Sequence, residues 1–235
     1  MWRSRKITEK VARADITRSR DNRADATLRA LDSLCQKEAE LDEQETIMGV
    51  QIQLRQQQHP FVTHPEVQSW VRSFSAEHFG IRSRWPCLGL VGDSQTGNTC
   101  LGMSLWPGRT LKVSCNGLPN GIMPSLKGFS RQEHSAILFD EVRPDQILGN
   151  REVFQSGPHV CKLSQSACGQ HEYSVWLYAI PLICCSNNLS VPSTGDTFQS
   201  DEEWFRKNVV LVELAPGQRW FVQPGAGVRA AGNRE

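Results

Sequence analysis

A glycine-rich stretch that follows an apolar run carries the clearest chemical signal in the sequence. Residues 88–91, LGLV, lead into residues 92–99, GDSQTGNT, which fit the phosphate-binding pattern G-x-x-x-x-G-K-[ST] at every fixed position except one. The two glycines allow the backbone to curl so that successive N–H groups face an anion. The stretch therefore indicates a loop that holds phosphate groups. Its candidate ligand contacts are Gly92, Thr96, Gly97, Asn98 and Thr99.

Asn98 stands where this pattern has its lysine. The lysine makes a charge-assisted hydrogen bond worth roughly 1.5–3 kcal/mol, so its loss weakens nucleotide binding by about 10- to 150-fold. It also neutralises charge that develops on the transferred phosphoryl group, which a neutral amide cannot do. We therefore expect nucleotide binding to survive and hydrolysis to be weakened or lost. Lys112, on the next predicted strand, is a candidate replacement cation.

Two later apolar runs also end in polar residues. Residues 136–139, AILF, are followed by Asp140 and Glu141, an arrangement in which the first acid holds magnesium and the second polarises the attacking water. Residues 180–185 are followed by Ser186 and Asn187. Because ligands bind beyond the carboxyl ends of parallel strands, these strand ends and the glycine-rich loop are predicted to meet in one crevice.

The three motifs, in this order, resemble the superfamily 3 helicase domain. The resemblance is to the ATPase domain of the Rep replication initiators of circular single-stranded DNA viruses and to their genome-integrated copies. VGDSQTGNTCLGMSL is similar to the family's EGxSxTGKTxxARSL stretch, ILFDEV to its acidic motif, and LICCSN to its motif C. EEWFRKNVVLVEL is similar to the stretch that closes the domain, so the resemblance covers about residues 85–215.

This resemblance implies ATP and Mg²⁺ as cofactors and assigns roles to the site residues. It implies that Thr99 and Asp140 hold magnesium, that Glu141 is the general base, and that Asn187 senses the γ-phosphate. It further implies single-stranded DNA or RNA as a partner, gripped by a hairpin at residues 160–179, and a homo-oligomeric ring with nucleotide between subunits.

Three classes of function follow from these residues. The first is an active nucleic-acid-dependent ATPase or helicase, and the second is a degenerate relative that binds nucleotide, and single-stranded nucleic acid, without effective turnover. The third is a structural remnant of a domesticated viral gene that binds no nucleotide. Asn98 argues against the first, while Asp140, Glu141 and Asn187 argue against the third. The second class is therefore favoured. Strand nicking is not expected, since the sequence has no H-x-H motif.

The elements that must position these residues are predicted from apolar runs separated by Gly, Pro and Ser. The predicted fold is α/β, a P-loop NTPase-like three-layer fold with a mostly parallel sheet, preceded by a helical N-terminal segment. Val67, Trp70, Val71 and Phe74 repeat at helical spacing and predict a short helix before the sheet. Strands are predicted at residues 87–91, 110–115, 136–140, 159–163, 173–179, 181–186 and 209–214.

Charge and composition divide the chain ahead of this sheet. Residues 1–35 carry nine Lys/Arg and five Asp/Glu, residues 36–58 carry two and five, and the remainder carries 15 of each. Up to residue 58 there is no proline and most residues are good helix formers. We therefore predict a charged, partly flexible helical segment at 1–58, a short helical linker at 59–84, the P-loop helicase-like domain at 85–222 and a loose tail at 223–235.

The overall composition limits the compartment and the partners. The 235 residues carry a formal net charge of +1, which gives no global field for nonspecific binding of nucleic acid. No apolar run reaches the ~18 residues that span a bilayer, so no membrane partner is expected. The eight cysteines form no CxxC pair, which favours reduced thiols in an intracellular protein, nuclear or cytoplasmic. Cys184 and Cys185, in the middle of a predicted strand, are expected to be inert.

Overall fold

The computed structural model of the chain describes residues 60–62, 64–75, 82–119, 121–164, 172–190 and 198–222, together with helical positions between residues 32 and 56. Contacts divide the chain into two compact units, Met1–Gln51 and Ile52–Glu235. The described positions of the first unit are all helical. The first 31 residues of the predicted helical segment and the predicted tail at 223–235 lie outside the described residues.

The second unit contains strands close to each of the predicted places, with helices before and between them. The helices are α1 (Pro65–Arg72), α2 (Asn98–Ser104), α3 (Pro144–Gly149), α4 (Arg151–Phe154) and α5 (Phe198–Asn208). The strands are β1 (Cys87–Val91), β2 (Thr110–Ser114), β3 (Ala136–Asp140), β4 (Val160–Ser164), β5 (Glu172–Trp176), β6 (Leu182–Ser186) and β7 (Val209–Glu213). Among the described helices, none is long and apolar enough to cross a bilayer.

Five of the strands form one parallel sheet in the order β2-β3-β6-β1-β7. Strand β1 is buried at all five positions, and β3 and β6 are buried at all but the last. Such continuous burial is typical of parallel strands that are covered on both faces, which explains their apolar sequences. The prediction of an α/β fold with a mostly parallel sheet is therefore confirmed.

Each face of this sheet packs against its own set of helices. One buried cluster joins side chains of α1 and α2 to alternate positions of the strands, such as Leu88 and Leu138. The other joins side chains of α3, α4 and α5 to the intervening positions, such as Ile137 and Phe139. Because successive side chains of a strand point to opposite faces, the sheet is the middle of three layers.

Helix α1 is part of the core of this unit. Val67 and Trp70 are buried, and the Trp70 indole N–H donates to the carbonyl of Pro86 at 2.7 Å. The predicted apolar helix is confirmed, but it ends at Arg72. Phe74 therefore lies beyond the helix, where its ring centre is 5.0 Å from that of Trp70.

The remaining strands, β4 and β5, pair antiparallel as a separate hairpin. The sequence predicted that the second of these would continue to residue 179, whereas it ends at Trp176. Ala179 has a φ of 56°, and the Ile180 N–H donates to the Leu177 carbonyl at 3.0 Å. This turn ends the strand, because extended pairing requires a negative φ.

Gly102 fixes how closely α2 approaches the sheet. A Cβ at this position would lie 2.5 Å from Leu138 Cδ1 and 3.2 Å from Ile183 Cγ2, and both of those side chains are fully buried. We expect Gly102→Val to lower the free energy of unfolding by about 1–3 kcal/mol through overpacking, measured by denaturant titration. The control is Gly49→Val, because a Cβ there meets nothing within 4 Å. Equal losses in the two variants would contradict this packing.

Candidate functional site

The polar ends of β1, β3 and β6 meet in one crevice, as predicted. The Thr99 hydroxyl, in the first turn of α2, donates to Asp140 Oδ1 at 2.8 Å. The Gly92 N–H donates to the carbonyl of Ser186 at 3.3 Å. The crevice has a volume of about 440 Å³, and residues 93–100, Asp140, Glu141 and Asn187 contribute to its lining. This volume lies within the range of about 300–1,000 Å³ found for small-molecule sites.

The glycine-rich loop has the curled backbone that its sequence predicts. Gln95 has a φ of 65° and Gly97 a φ of 100°, so both lie in the left-handed region. The Thr96 N–H donates to the Asp93 carbonyl at 3.3 Å, which closes a tight turn. Gly97 directly precedes α2, and its left-handed backbone would be strained in a residue that carries a side chain. The loop therefore wraps around the mouth of the crevice.

Asn98, at the position of the missing lysine, is held by four polar groups of the protein. Its Nδ2 donates to the carbonyls of Gly92 at 3.0 Å and Ser186 at 3.2 Å. Its Oδ1 lies 2.8 Å from the Thr96 hydroxyl and also accepts a hydrogen bond from the Trp220 indole N–H. An indole N–H only donates and a carbonyl only accepts, so this network fixes which way the amide is turned.

This network gives Asn98 a structural role in the loop. The residue is only 9% exposed, and both amide protons and the amide oxygen are used within the protein. A neutral amide that is already fully hydrogen-bonded offers little to a phosphate. The amide instead ties the start of the loop to the end of β6 and to a distant tryptophan.

The two carboxylate oxygens of Asp140 contact different groups, one a hydroxyl and the other an ammonium. While Oδ1 accepts from Thr99, Oδ2 lies 2.9 Å from the Nζ of Lys112, which extends from the neighbouring strand β2. Lys112 thus reaches the acidic strand end rather than the glycine-rich loop. Its ammonium competes with any metal ion for the carboxylate, because both are attracted to the same negative charge.

Glu141 and Asn187 both line the crevice and are exposed to solvent. Glu141 has a φ of 57°, an uncommon left-handed conformation for a residue with a long side chain, and it follows directly on β3. Asn187 follows directly on β6. The crevice therefore contains the carboxylate and the amide that the sequence placed there, and both face open space.

The buried thiols beside the crevice are not nucleophiles. Burial, reinforced by the charge of Asp140, raises the pKa of the Cys185 thiol well above its usual value. The same two causes raise the pKa of Cys115 to about 12. Cys184 is fully buried and its pKa is also raised, mainly by burial. These thiols stay protonated at neutral pH, in agreement with the expectation that Cys184 and Cys185 are inert.

Sequence reasoning did not single out Arg219 and Phe221, which also line the crevice. They lie on the chain after β7, more than 100 residues from the glycine-rich loop, so no local spacing links the two. Among the described residues that line the crevice, the charged side chains are those of Asp93, Asp140, Glu141 and Arg219. Asp140 is paired with Lys112, but Asp93 and Glu141 still outnumber Arg219, so the crevice is unfavourable for a polyphosphate unless a cation accompanies it.

Two other features of the described residues bear on where a ligand could bind. They contain no cluster of three or more His, Cys, Asp or Glu side chains placed to hold a metal ion. A larger cavity of about 640 Å³ lies beside α1, lined among others by Pro65, Trp70, Arg82 and Val210. Its lining shares no residue with the crevice at the polar strand ends.

The architecture and the site together define an α/β, P-loop NTPase-like fold. No family model and no curated protein matches the chain. Among solved structures the chain is similar to a protein described as the S. cerevisiae Hsp104-ADP complex, with 15% sequence identity and a TM-score of 0.38. The match covers 63% of this chain and 32% of that one, so the chain spans about a third of the length of that protein.

Proposed function

We propose that this chain is a superfamily 3 helicase-like protein that binds ATP with Mg²⁺ in the crevice and hydrolyses it slowly or not at all. One observation carries the proposal, the 2.8 Å contact between the Thr99 hydroxyl and Asp140 Oδ1 at the mouth of the curled loop. It joins the helix that follows the glycine-rich loop to an acidic strand end over 41 residues of sequence. A plain strand-to-helix turn requires no such partner.

The donor atoms at this contact fit magnesium. Hydroxyl and carboxylate oxygens are the hard ligands that Mg²⁺ prefers in proteins, and Thr99 and Asp140 supply one of each. The ion would offset the negative charge of the phosphates and of the crevice acids. Gly97 would face the phosphates with its backbone, whereas the Gly92 and Thr96 N–H groups already donate to the Ser186 and Asp93 carbonyls and would hold the loop in its curled shape.

The remaining polar groups of the crevice could take part in ATP hydrolysis, but the lysine that would stabilise the transferred phosphate is missing. Glu141 and Asn187 both line the crevice, and in this proposal Glu141 accepts a proton from an attacking water while Asn187 contacts the terminal phosphate. Asn98 leaves no ammonium at the loop to neutralise the charge that develops during transfer. The proposal is therefore that binding is retained while turnover is weakened or lost.

The hairpin of β4 and β5 supports single-stranded DNA or RNA as the partner. The Trp176 side chain is 46% exposed, and the guanidinium carbon of Arg131 lies 4.5 Å from its ring centre. An exposed aromatic ring beside a cation suits stacking of a base with contact to its phosphate. Assembly into a ring, with nucleotide between subunits, is proposed from the sequence resemblance alone.

Magnesium dependence tests the proposed site. Wild-type protein titrated with a fluorescent ATP analogue should bind more tightly with Mg²⁺ than with EDTA, and Asp140→Asn should remove that difference. The control Asp93→Asn makes the same chemical change at an exposed position of the same crevice and should keep the metal dependence. Absence of binding by the wild type favours the structural remnant, and rapid hydrolysis favours an active helicase.

A further inference from the structure

The chain after β7 runs directly across the glycine-rich loop. The Leu214 N–H donates to the Val91 carbonyl at 2.9 Å, at the end of β1. Six residues later the Trp220 N–H donates to the Thr96 carbonyl at 3.1 Å, within the loop itself. This crossing segment, residues 214–222, is therefore bonded to the loop through the backbone and forms one wall of the crevice.

Trp220 anchors the crossing segment. Its side chain is fully buried, and its indole N–H donates to Asn98 Oδ1. Its ring packs edge-on against His64 with 4.7 Å between ring centres, and its carbonyl accepts from the Val62 N–H at 2.7 Å. Trp220 is therefore held at three places: by its backbone, by its indole N–H and by its ring. These contacts also fix the position of the residues on either side of Trp220.

Arg219 and Phe221 flank this anchor and both line the crevice. The chain bends at Trp220, and while the Trp220 side chain is buried, its two neighbours both contribute to the crevice lining. The guanidinium carbon of Arg219 lies 5.6 Å from the Phe221 ring centre, a cation–π contact that holds the charge near the crevice. None of the described ion pairs involves Arg219.

We propose that Arg219 is the phosphate-binding cation of this crevice. It takes over the contact to a phosphate that the lysine makes in the full G-x-x-x-x-G-K-[ST] pattern. Its ligand is the phosphate chain of a nucleoside triphosphate, which a guanidinium grips with two parallel hydrogen bonds. The asparagine at position 98 has a double effect: it removes the lysine and supplies the acceptor that anchors Trp220 beside Arg219. The inference rests on the proposed nucleotide binding.

The test compares Arg219→Gln with Arg72→Gln in titrations with fluorescent ATP and AMP analogues. Arg72 is exposed and lies on α1, outside the crevice lining. Arg219→Gln should weaken ATP binding by about 10-fold, the effect of one charge-assisted hydrogen bond, and AMP binding by much less. Arg72→Gln should change neither affinity, and Arg219→Lys should recover part of the loss.

The outcomes separate this inference from the proposed function. Equal ATP affinity of the wild type and Arg219→Gln overturns the role of Arg219 but leaves the proposed nucleotide binding intact. Equal losses for ATP and AMP in Arg219→Gln also overturn it, because the contact would then not involve the distal phosphates. Wild-type protein that binds no ATP overturns the proposed function and, with it, the inference. Arg219 is exposed, so its variants should keep the wild-type melting temperature.

Discussion

Replacing Asn98 by leucine is expected to lower the free energy of unfolding by about 3 kcal/mol or more, the largest stability effect of any single polar residue in the crevice. The substitution keeps the branched shape of the side chain but removes the partner of the Trp220 indole N–H and of the Gly92 carbonyl, whereas the Ser186 carbonyl keeps the Gly92 N–H. Each buried polar group left unpaired costs about 1–3 kcal/mol. Denaturant titration followed by tryptophan fluorescence measures the loss.

Asn187→Leu is the matched control for that substitution. Asn187 lies in the same crevice but is exposed, so its loss should change stability by no more than about 0.5 kcal/mol. Similar losses in both variants would mean that the Asn98 network contributes nothing specific, and the structural role assigned to this residue would be wrong.

The second large effect concerns hydrolysis, and it requires two substitutions. Asn98→Lys alone restores the cation but leaves the Trp220 indole N–H without an acceptor, at a cost of about 1–3 kcal/mol. Trp220→Phe removes that donor and keeps most of the ring. We therefore expect Asn98→Lys to be less stable than the double variant Asn98→Lys/Trp220→Phe, in which the lysine is free to face the phosphates.

In the double variant ATP affinity should rise and phosphate release should increase by about 10²–10³-fold over the wild type, the usual effect of one transition-state charge contact. Adding Glu141→Gln should keep the gain in affinity and abolish the release, since an amide cannot accept the proton of the water. Unchanged affinity in the double variant, with the protein shown to be folded, would mean that the loop does not enclose a phosphate.

Much of the fold is predictable because the three central strands of the sheet, β1, β3 and β6, are buried apolar runs with at most a polar last residue. Residues 87–91, 136–140 and 182–186 are short apolar runs, and each is a buried parallel strand at its predicted place. Their polar ends could be assigned to one crevice because the carboxyl ends of parallel strands lie at the same edge of the sheet. The contact between Thr99 and Asp140 follows from the same rule.

The features that sequence reasoning missed are contacts between side chains that are distant in the chain. The Asn98–Trp220 hydrogen bond joins residues 122 apart, and neither residue type signals the other. The ion pair of Lys112 with Asp140 depends on the register of β2 against β3, which apolar patterns do not fix to one residue. The end of β5 depends on a positive φ at an alanine, which has no sequence signature.

The most direct test of the account measures ATP binding and phosphate release on the same wild-type sample in the presence of Mg²⁺, with and without single-stranded DNA. We predict saturable binding of one ATP per chain, with phosphate release at least about 100-fold slower than in the Asn98→Lys/Trp220→Phe variant. Failure to bind ATP, or release as fast as in that double variant, would contradict the claim that this crevice holds nucleotide and hydrolyses it slowly or not at all.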